Sequence, residues 1–558
     1  MALGRFLLCL HSHMPYVLSH GKSPHGTDWI TESAAECYLP LLDVLYRLEE
    51  QGIYPRWTVN VTPILAEQLE DESFKAEFED YCDSRAAFAR GDAVRFRENG
   101  EGLGMVGLAG YWARIYERAK DQFQNRWNRS IVSGFRHFQE IGSIEIITSG
   151  VTHGYQPLLG TEESCRAQIQ LGVDTYKKHF GRQPRGIWLP ECAYRPRYAW
   201  KSPVDDSEVP WERAGTDEWL AKYNLEYFFV DSHMIRGGTP LGTYAANFPQ
   251  LAELFARSSR YFTPSEEVRS EYEHYILPTG ETCFSRDPET TVKVWSGDVG
   301  YPGDPHYLEF HKQLYPGRLK YWRISENKAD LGSKQPYDPY RAYENVAEHA
   351  RDMVNVIKGA LAKYRGQADR NGTLVAMYDT ELFGHWWWEG PECLYELARA
   401  LHADGEVEMA SGGDVLDRDP ARHLINLPEG SWGEGGYHYI WLNGENAWTW
   451  KQLHPAQRRM REMSRTLADG PAREIVRQAG RELLLAESSD WQFLISTQAA
   501  RDYAEVRFSD HIDRFNRLAE LASQVHHGHL MTADEQEFLA DCQQKDAPFA
   551  DLNPALWA

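Results

Sequence analysis

Two carboxylates stand where a strand would hand them to a reaction. In Gly186-Ile-Trp-Leu-Pro-Glu-Cys-Ala-Tyr-Arg-Pro196 a short apolar run stops at Pro190, and Glu191 follows at once. A barrel strand ended by a proline presents the next side chain at its mouth. Alone, such a glutamate reads as a solvated strand end. The pattern recurs in Met377-Tyr-Asp-Thr-Glu-Leu-Phe-Gly-His-Trp-Trp-Trp-Glu389, which puts Asp379 at a strand end with indoles beyond it. Two carboxylates walled by indoles suggest glycoside chemistry. A retaining pair would stand ~5–5.5 Å apart, one carboxyl attacking the anomeric carbon and the other protonating the leaving oxygen. The nucleophile must stay ionised, which Arg286 or nearby histidines would favour. The acid must hold a proton, which a dry indole-lined pocket promotes. Chemistry alone lets either residue take either role, and Glu145, Glu381, Asp231 and Asp298 compete with them.

His11-Ser-His13 places two imidazoles on one face of a strand end. That spacing suits a metal pair, with His153 or His233 as a third ligand, and equally suits two donors to sugar hydroxyls. No helical His-Glu-x-x-His pair supports a metal. Gly102-Leu-Gly-Met-Val-Gly107 fits a dinucleotide template but follows a charged run rather than a strand, so it reads as a loop. Of nineteen tryptophans, those at 386 to 388, 432, 441, 448, 450 and 491 gather in expected loops. Indole faces stack on pyranose rings and exclude water, though about half of these belong to the core.

The elements that must position these groups alternate. Seven apolar runs end in polar residues: Phe6–Leu10, Trp57–Val61, Ile144–Ile147, Ile187–Leu189, Tyr227–Val230, Val292–Trp295 and Leu374–Met377. Helical spacing marks Ala34–Glu50, stopped by Gly52, and Tyr343–Lys363. Alternating strands and helices with functional groups after the strands mean an α/β barrel with its site on that face. Seven strands rather than eight leave it incomplete. The expected division is 1–191 and 226–408 for the two parts of the catalytic barrel, 192–225 for a small inserted domain rich in Pro, Trp and charge, and 409–558 for a mainly helical C-terminal domain. Helical runs are expected over Arg473–Ile495 and Asp510–Val525.

The bulk numbers narrow the partners. Fifty-nine basic residues against 82 acidic ones leave a net charge of −23. With no basic run, nucleic acid and anionic membranes are not expected partners, and a neutral polyol fits. Eight scattered cysteines form no Cys-x-x-Cys pair and indicate no disulfide framework. The run Phe6–Leu10 is too short for a signal segment, and no stretch is long enough to span a bilayer. A cytoplasmic, monomeric protein is the expectation.

Five segments, in order along nearly the whole chain, resemble glycoside hydrolase family 57, and in particular its branching enzymes. They are His11-Ser-His-Met-Pro15, Thr152-His-Gly-Tyr-Gln-Pro-Leu-Leu159, Trp188-Leu-Pro-Glu-Cys-Ala-Tyr194, Tyr378-Asp-Thr-Glu-Leu-Phe-Gly-His385 and Ser488-Ser-Asp-Trp491. The resemblance implies an incomplete (β/α)7 barrel, a small insertion, a helical domain completing the cleft, and no metal or cofactor. It also implies Glu191 as nucleophile and Asp379 as general acid/base. His11, His13 and His233 would line the subsite at the cut, with His153 in the second motif beside them. Arg286, Gly303, Trp432 and Asp490 look like substrate-binding positions, and Trp295 and Trp441 like aromatic walls. Tyr244 is the counterpart of a loop tyrosine in the family.

The implied activity cleaves an α-1,4-glucan and passes the chain to a 6-hydroxyl, making α-1,6 branches in amylose or a glycogen-like polymer. A 4-α-glucanotransferase or α-amylase would share the chemistry with a different acceptor. A non-catalytic glucan-binding protein and a metal-dependent deacetylase are the readings from other classes.

Overall fold

The computed structural model describes residues 2–236, 269–326 and 328–558. Tyr244 lies outside them. The first strand, β1 (Gly4–Ser12), is almost wholly buried. It is followed by β2 (Trp57–Val61), β3 (Ile144–Ser149) and β4 (Gly186–Trp188), all fully buried. Buried on both faces, a parallel strand reads as an unbroken apolar run, which is why these segments stand out in the sequence.

After β4 come a short antiparallel pair, β5 (Tyr198–Trp200) and β6 (Trp211–Arg213), and then β7 (Tyr227–Val230). The sheet continues with β8 (Tyr275–Ile276), β9 (Thr282–Ser285), β10 (Gly372–Asp379), β11 (Val407–Met409) and β12 (His423–Leu424). The strand order is β10-β1-β2-β3-β4-β7-β9-β8-β12, with β11 against the first residues of β1. From β10 through β9 every neighbour is parallel, giving the seven-stranded incomplete barrel expected. Two hydrogen bonds span the seam between β10 and the β8–β9 segment: Asp287 N–H to Val375 O at 2.8 Å and Thr373 N–H to Tyr272 O at 2.9 Å.

One strand is not where the alternation put it. Val292–Trp295 closes a helix, Pro288–Trp295, and the missing strand is β9. Asp287 caps that helix, its carboxylate accepting the Thr290 N–H at 2.7 Å, and Pro288 occupies the first turn. An Asp-Pro start outweighs the β-branched residues that follow. Gly102–Gly107 is likewise not a loop, because Gly102 precedes the helix Leu103–Asp121. That helix packs on Glu72–Glu98, so a long helical pair sits between β2 and β3.

The helix expected over Ala34–Glu50 begins at Thr27 and passes through a π turn, Ala34–Tyr38, to end at Glu49. That over Tyr343–Lys363 runs from Pro339 to Ala368 and feeds β10. Beyond β12, helices Ala447–Thr466, Arg473–Ala486, Ser489–Thr497, Arg501–His526 and Ala533–Lys545 pack together. The expected run Arg473–Ile495 is broken at Glu487–Ser488, and that break faces the barrel. All eight cysteines are buried and unpaired. No helix among the described residues is long and apolar enough to cross a membrane.

Candidate active site

Glu191, Asp379, His11, His13 and Asp231 stand at or just past the C-terminal ends of their strands and so emerge from the same end of the sheet, whereas Asp298 follows a helix. Asp379 is the last residue of β10 and is paired in register with His11 of β1. Glu191 follows β4 on a short turn, Pro190–Cys192, with φ of 60° and 49° at Glu191 and Cys192. Left-handed backbone at two consecutive non-glycine residues is strained, and such strain persists only where the surroundings over-determine it. Here they do. Trp432 N–H donates to Glu191 O at 3.1 Å and the Trp432 indole N–H to Glu191 Oε2 at 2.9 Å. The Ser489 hydroxyl donates to Glu191 Oε1 at 3.0 Å. His153 Nδ1 lies 2.9 Å from that hydroxyl, so the chain of donors runs His153, Ser489, Glu191.

Three imidazoles and an indole form a stack behind this carboxylate. His11 lies on Trp188 at 4.6 Å and 9°, His153 on His11 at 5.0 Å, and His13 on His153 at 4.1 Å. Asn60 donates to the carbonyls of Ile147 and Thr148, which turns its oxygen to His11 Nδ1 at 2.7 Å. His11 Nδ1 therefore carries the proton. Burial pushes His11 down to about 3, helped by the charge of His13. Burial holds His153 well below its usual range too. His13 goes the other way: burial would lower it, but the charge and hydrogen bond of Asp490 Oδ2, 2.9 Å from Nε2, raise it. Burial would raise Asp490, and the charge of His13 and the Ser488 hydroxyl hold it low instead. One histidine of the three is thus biased toward its charged form, paired to a carboxylate from the helical region.

The two carboxylates of interest differ. Burial pushes Glu191 up to about 7, opposed by the Trp432 bond. Burial, then the charges of Glu381 and Glu191, push Asp379 well above the ordinary carboxylate range. Asp379 Oδ1 is buried with no hydrogen-bond partner. Asp379, pushed toward its protonated form, and Glu191, hydrogen-bonded and ionisable, differ in the sense that an acid and a nucleophile require.

The competitors have other occupations. Glu145 sits near the start of β3 and accepts the Gly413 N–H at 2.7 Å. Burial would raise Asp231, but Arg286 beside it holds it low, and the pair is almost wholly buried. Asp298 is exposed on a turn. Glu381 accepts from Tyr38 OH at 2.5 Å and His13 N–H at 3.3 Å, one residue beyond Asp379's neighbour Thr380.

His233 is buried, with Nε2 3.1 Å from Gly436 O on the loop that carries Trp432. The Arg286 guanidinium lies 5.7 Å from the Trp432 ring. Trp295, half-buried, meets Trp432 edge-on at 6.0 Å and 85°. Gly303 ends the turn Tyr301–Gly303, beyond Trp295, where a Cβ would stand 2.0 Å from Gly297 O. Trp441 departs from the expected wall. It is 1 % exposed, stacked on buried Tyr155 at 4.5 Å and 20°, so it backs the cleft rather than facing it. Trp387, Trp450 and Trp491 are core as well, and Trp448, Trp450 and Trp491 lie on helices. Ser489, Asn60 and Tyr38 carry no strand-end mark in the sequence. Only Ser489 carried a signal, as the neighbour of Asp490 in a quoted motif.

Residues 7–428 match the model of glycosyl hydrolase family 57. The chain belongs to that family. Residues 452–557 match a second model, that of the 1,4-alpha-glucan branching enzyme C-terminal region. A 1,4-alpha-glucan branching enzyme of Thermococcus kodakarensis is 37% identical over 549 residues, 98% of this chain and 77% of that one. The GH57-type branching enzyme of Pyrococcus horikoshii superposes with a TM-score of 0.89 at 36% identity, covering 100% of this chain and 97% of that one. The alpha-amylase AmyC of Thermotoga maritima reaches 0.82 at 30% identity, covering 100% and 99%. Family 57 membership accounts for the incomplete barrel, and the amylase's likeness means that fold alone leaves the acceptor open.

Proposed function

We propose that the protein is a retaining 1,4-α-glucan branching enzyme acting on amylose and glycogen-like polymer. The observation that carries the reading is the divided carboxylate pair, with Glu191 held by Trp432 and Ser489, and Asp379 raised, its Oδ1 buried without a hydrogen-bond partner. Glu191 attacks C1 of an α-1,4-linked glucan while Asp379 gives its proton to the departing 4-oxygen. The product is a glucosyl ester on Glu191 and a free chain end. Asp379, now ionised, takes the proton of an incoming 6-hydroxyl as that oxygen displaces Glu191 from C1, leaving an α-1,6 bond with retention. Two displacements at C1 account for the retention.

His11 and His153, neutral, offer ring edges to hydroxyls without adding charge. His13 and Asp490 form a fixed pair beside Glu191, where the Asp490 charge raises it and the His13 imidazolium, the smaller effect, favours its ionised form. Arg286, Trp295, Gly303, Trp432 and His233 complete the substrate-binding set, with Trp441 supporting it from behind. Glucan on Trp432 keeps water from the ester, which favours sugar as acceptor. The chain divides as 1–191 and 226–408 for the barrel, 192–225 for the insertion and 409–558 for the helical part, and works as a cytoplasmic monomer without metal or cofactor.

Incubation with amylose, debranching of the product and chain-length profiling test the assignment. New side chains without a matching rise in reducing ends are expected. The second reading, hydrolysis, rests on the 30% identity to an alpha-amylase, and reducing ends rising without branches would establish it.

A further inference from the structure

Nineteen tryptophans occur in the chain, and all lie in the described residues; Trp386 alone is exposed, at 49 %. Its two sequence neighbours show what the local packing asks for. Trp387 is 2 % exposed in the core, and Trp388 gives its indole N–H to Tyr111 OH at 3.0 Å while its ring meets Trp112 at 4.7 Å. These two anchor the segment, and Trp386 is left pointing outward from it.

The backbone there is locked. Gly384 N–H donates to Trp387 O at 2.8 Å, Trp387 N–H to Leu382 O at 2.9 Å and Trp386 N–H to Glu381 O at 3.3 Å. Gly384 has φ of 122°, and a Cβ on it would stand 1.7 Å from Glu36 O. Trp386 itself is braced by two rings, Phe310 at 5.0 Å and 79° and His385 at 5.1 Å and 87°. His385 Nδ1 in turn lies 3.5 Å from Glu32 and 3.7 Å from Glu36. An apolar ring kept in water on a rigid mount, in the segment that carries Asp379 and Glu381, is placed as a platform rather than left over from packing. Rigid aromatic surface costs little conformational entropy when a ligand lands on it.

We propose that Trp386, braced by Phe310 and His385, is a stacking subsite for an outlying stretch of a bound α-1,4-glucan chain. It holds sugar units remote from the bond being cut, through the apolar face of a pyranose. The subsite thereby favours long chains over short ones. This rests on the glucan reading of the site above.

Trp386→Ala, Trp386→Phe and, as a control, Tyr340→Ala, a ring 86 % exposed on the helix Pro339–Ala368, test it. Electrophoresis in native gels containing amylose reads binding without turnover, and steady-state kinetics compare amylose with a short maltooligosaccharide. Trp386→Ala should weaken amylose binding about three- to tenfold and raise KM for amylose to match. Its kcat, its KM for the short chain and its melting temperature should stay at the parent values. Trp386→Phe should recover most of the loss and Tyr340→Ala should show none. If the parent protein ignores amylose, the glucan reading falls and this subsite with it. If the parent is retarded and Trp386→Ala is retarded equally, the subsite alone is overturned. A variant that loses short and long substrates alike, or melts lower, assigns the ring a structural role and overturns it too.

Discussion

The indole N–H of Trp432 donates to Glu191 Oε2 at 2.9 Å while the backbone N–H of Trp432 donates to the Glu191 carbonyl at 3.1 Å. One residue from a distant loop thus holds both the side chain and the strained backbone of the carboxylate.

Removing that bond should move the acid limb of activity. Burial pushes Glu191 up to about 7, and the Trp432 bond opposes the rise by favouring the charged form. A nucleophile works ionised, so kcat/KM of the free enzyme should climb as pH rises through about 7. Trp432→Phe takes away the donor, raises Glu191 further and shifts the limb to higher pH. A pH–rate profile of parent and variant checks the direction; a limb that stays put or moves down contradicts it.

Glu191→Gln and Asp379→Asn should each lower kcat at least about 10³-fold, since groups acting as a unit fail together. Each swap replaces a carboxyl by a neutral amide of nearly the same shape, so melting should move little. The two variants should part with an activated donor whose leaving group needs no proton: Asp379→Asn should still release the leaving group in a burst, and Glu191→Gln should not. Equal behaviour of the two would mean that the roles are misassigned.

Asp490→Asn should make stability less dependent on pH. Asp490 is held below 3.8, so its part of the pairing is present above that ordinary value and fades as pH falls through the folded one. His13 is raised above 6.5, so its part is complete below 6.5 and fades as pH rises through the folded value. The pair therefore contributes most between about pH 4 and the raised value of His13. Across that window parent and variant should differ by about 1–3 kcal/mol, and converge at either end. Melting curves over pH 3–9 read this, and a constant difference would contradict it.

Gly384→Ala should damage the barrel more than its size suggests. The added methyl meets Glu36 O at 1.7 Å on a φ of 122°, where neither partner is a movable side-chain end. A cost of about 2–4 kcal/mol is expected, with reduced soluble yield and lowered melting. A variant that melts with the parent would show that the Glu381–Trp387 turn shifts freely.

The strand ends were readable because burial on both faces writes an apolar run and a proline or carboxylate marks where it stops. Glu191 and Asp379 carried that mark; Ser489 and Asn60 did not, since serine and asparagine occur everywhere and their meaning lies in a partner hundreds or tens of residues away. Val292–Trp295 misled because β-branched residues suggest a strand, while the deciding signal was Asp287-Pro288 just upstream. β9 is four residues long with Thr282 and Ser285 at its ends, so no apolar run marks it. The expectation that about half of the clustered tryptophans are core holds, but sequence does not say which: Trp441 and Trp450 fill the space behind the site.

The break at Glu487–Ser488 places Ser489 and Asp490 against the barrel, where they steady Glu191 and His13. Part of the reaction's scaffolding is therefore delivered by a stretch of the polypeptide that carries neither of the two acids. A barrel released from that partner would keep both acids yet lose the posture of one of them, so shortening the protein by its tail is equivalent to disarming it.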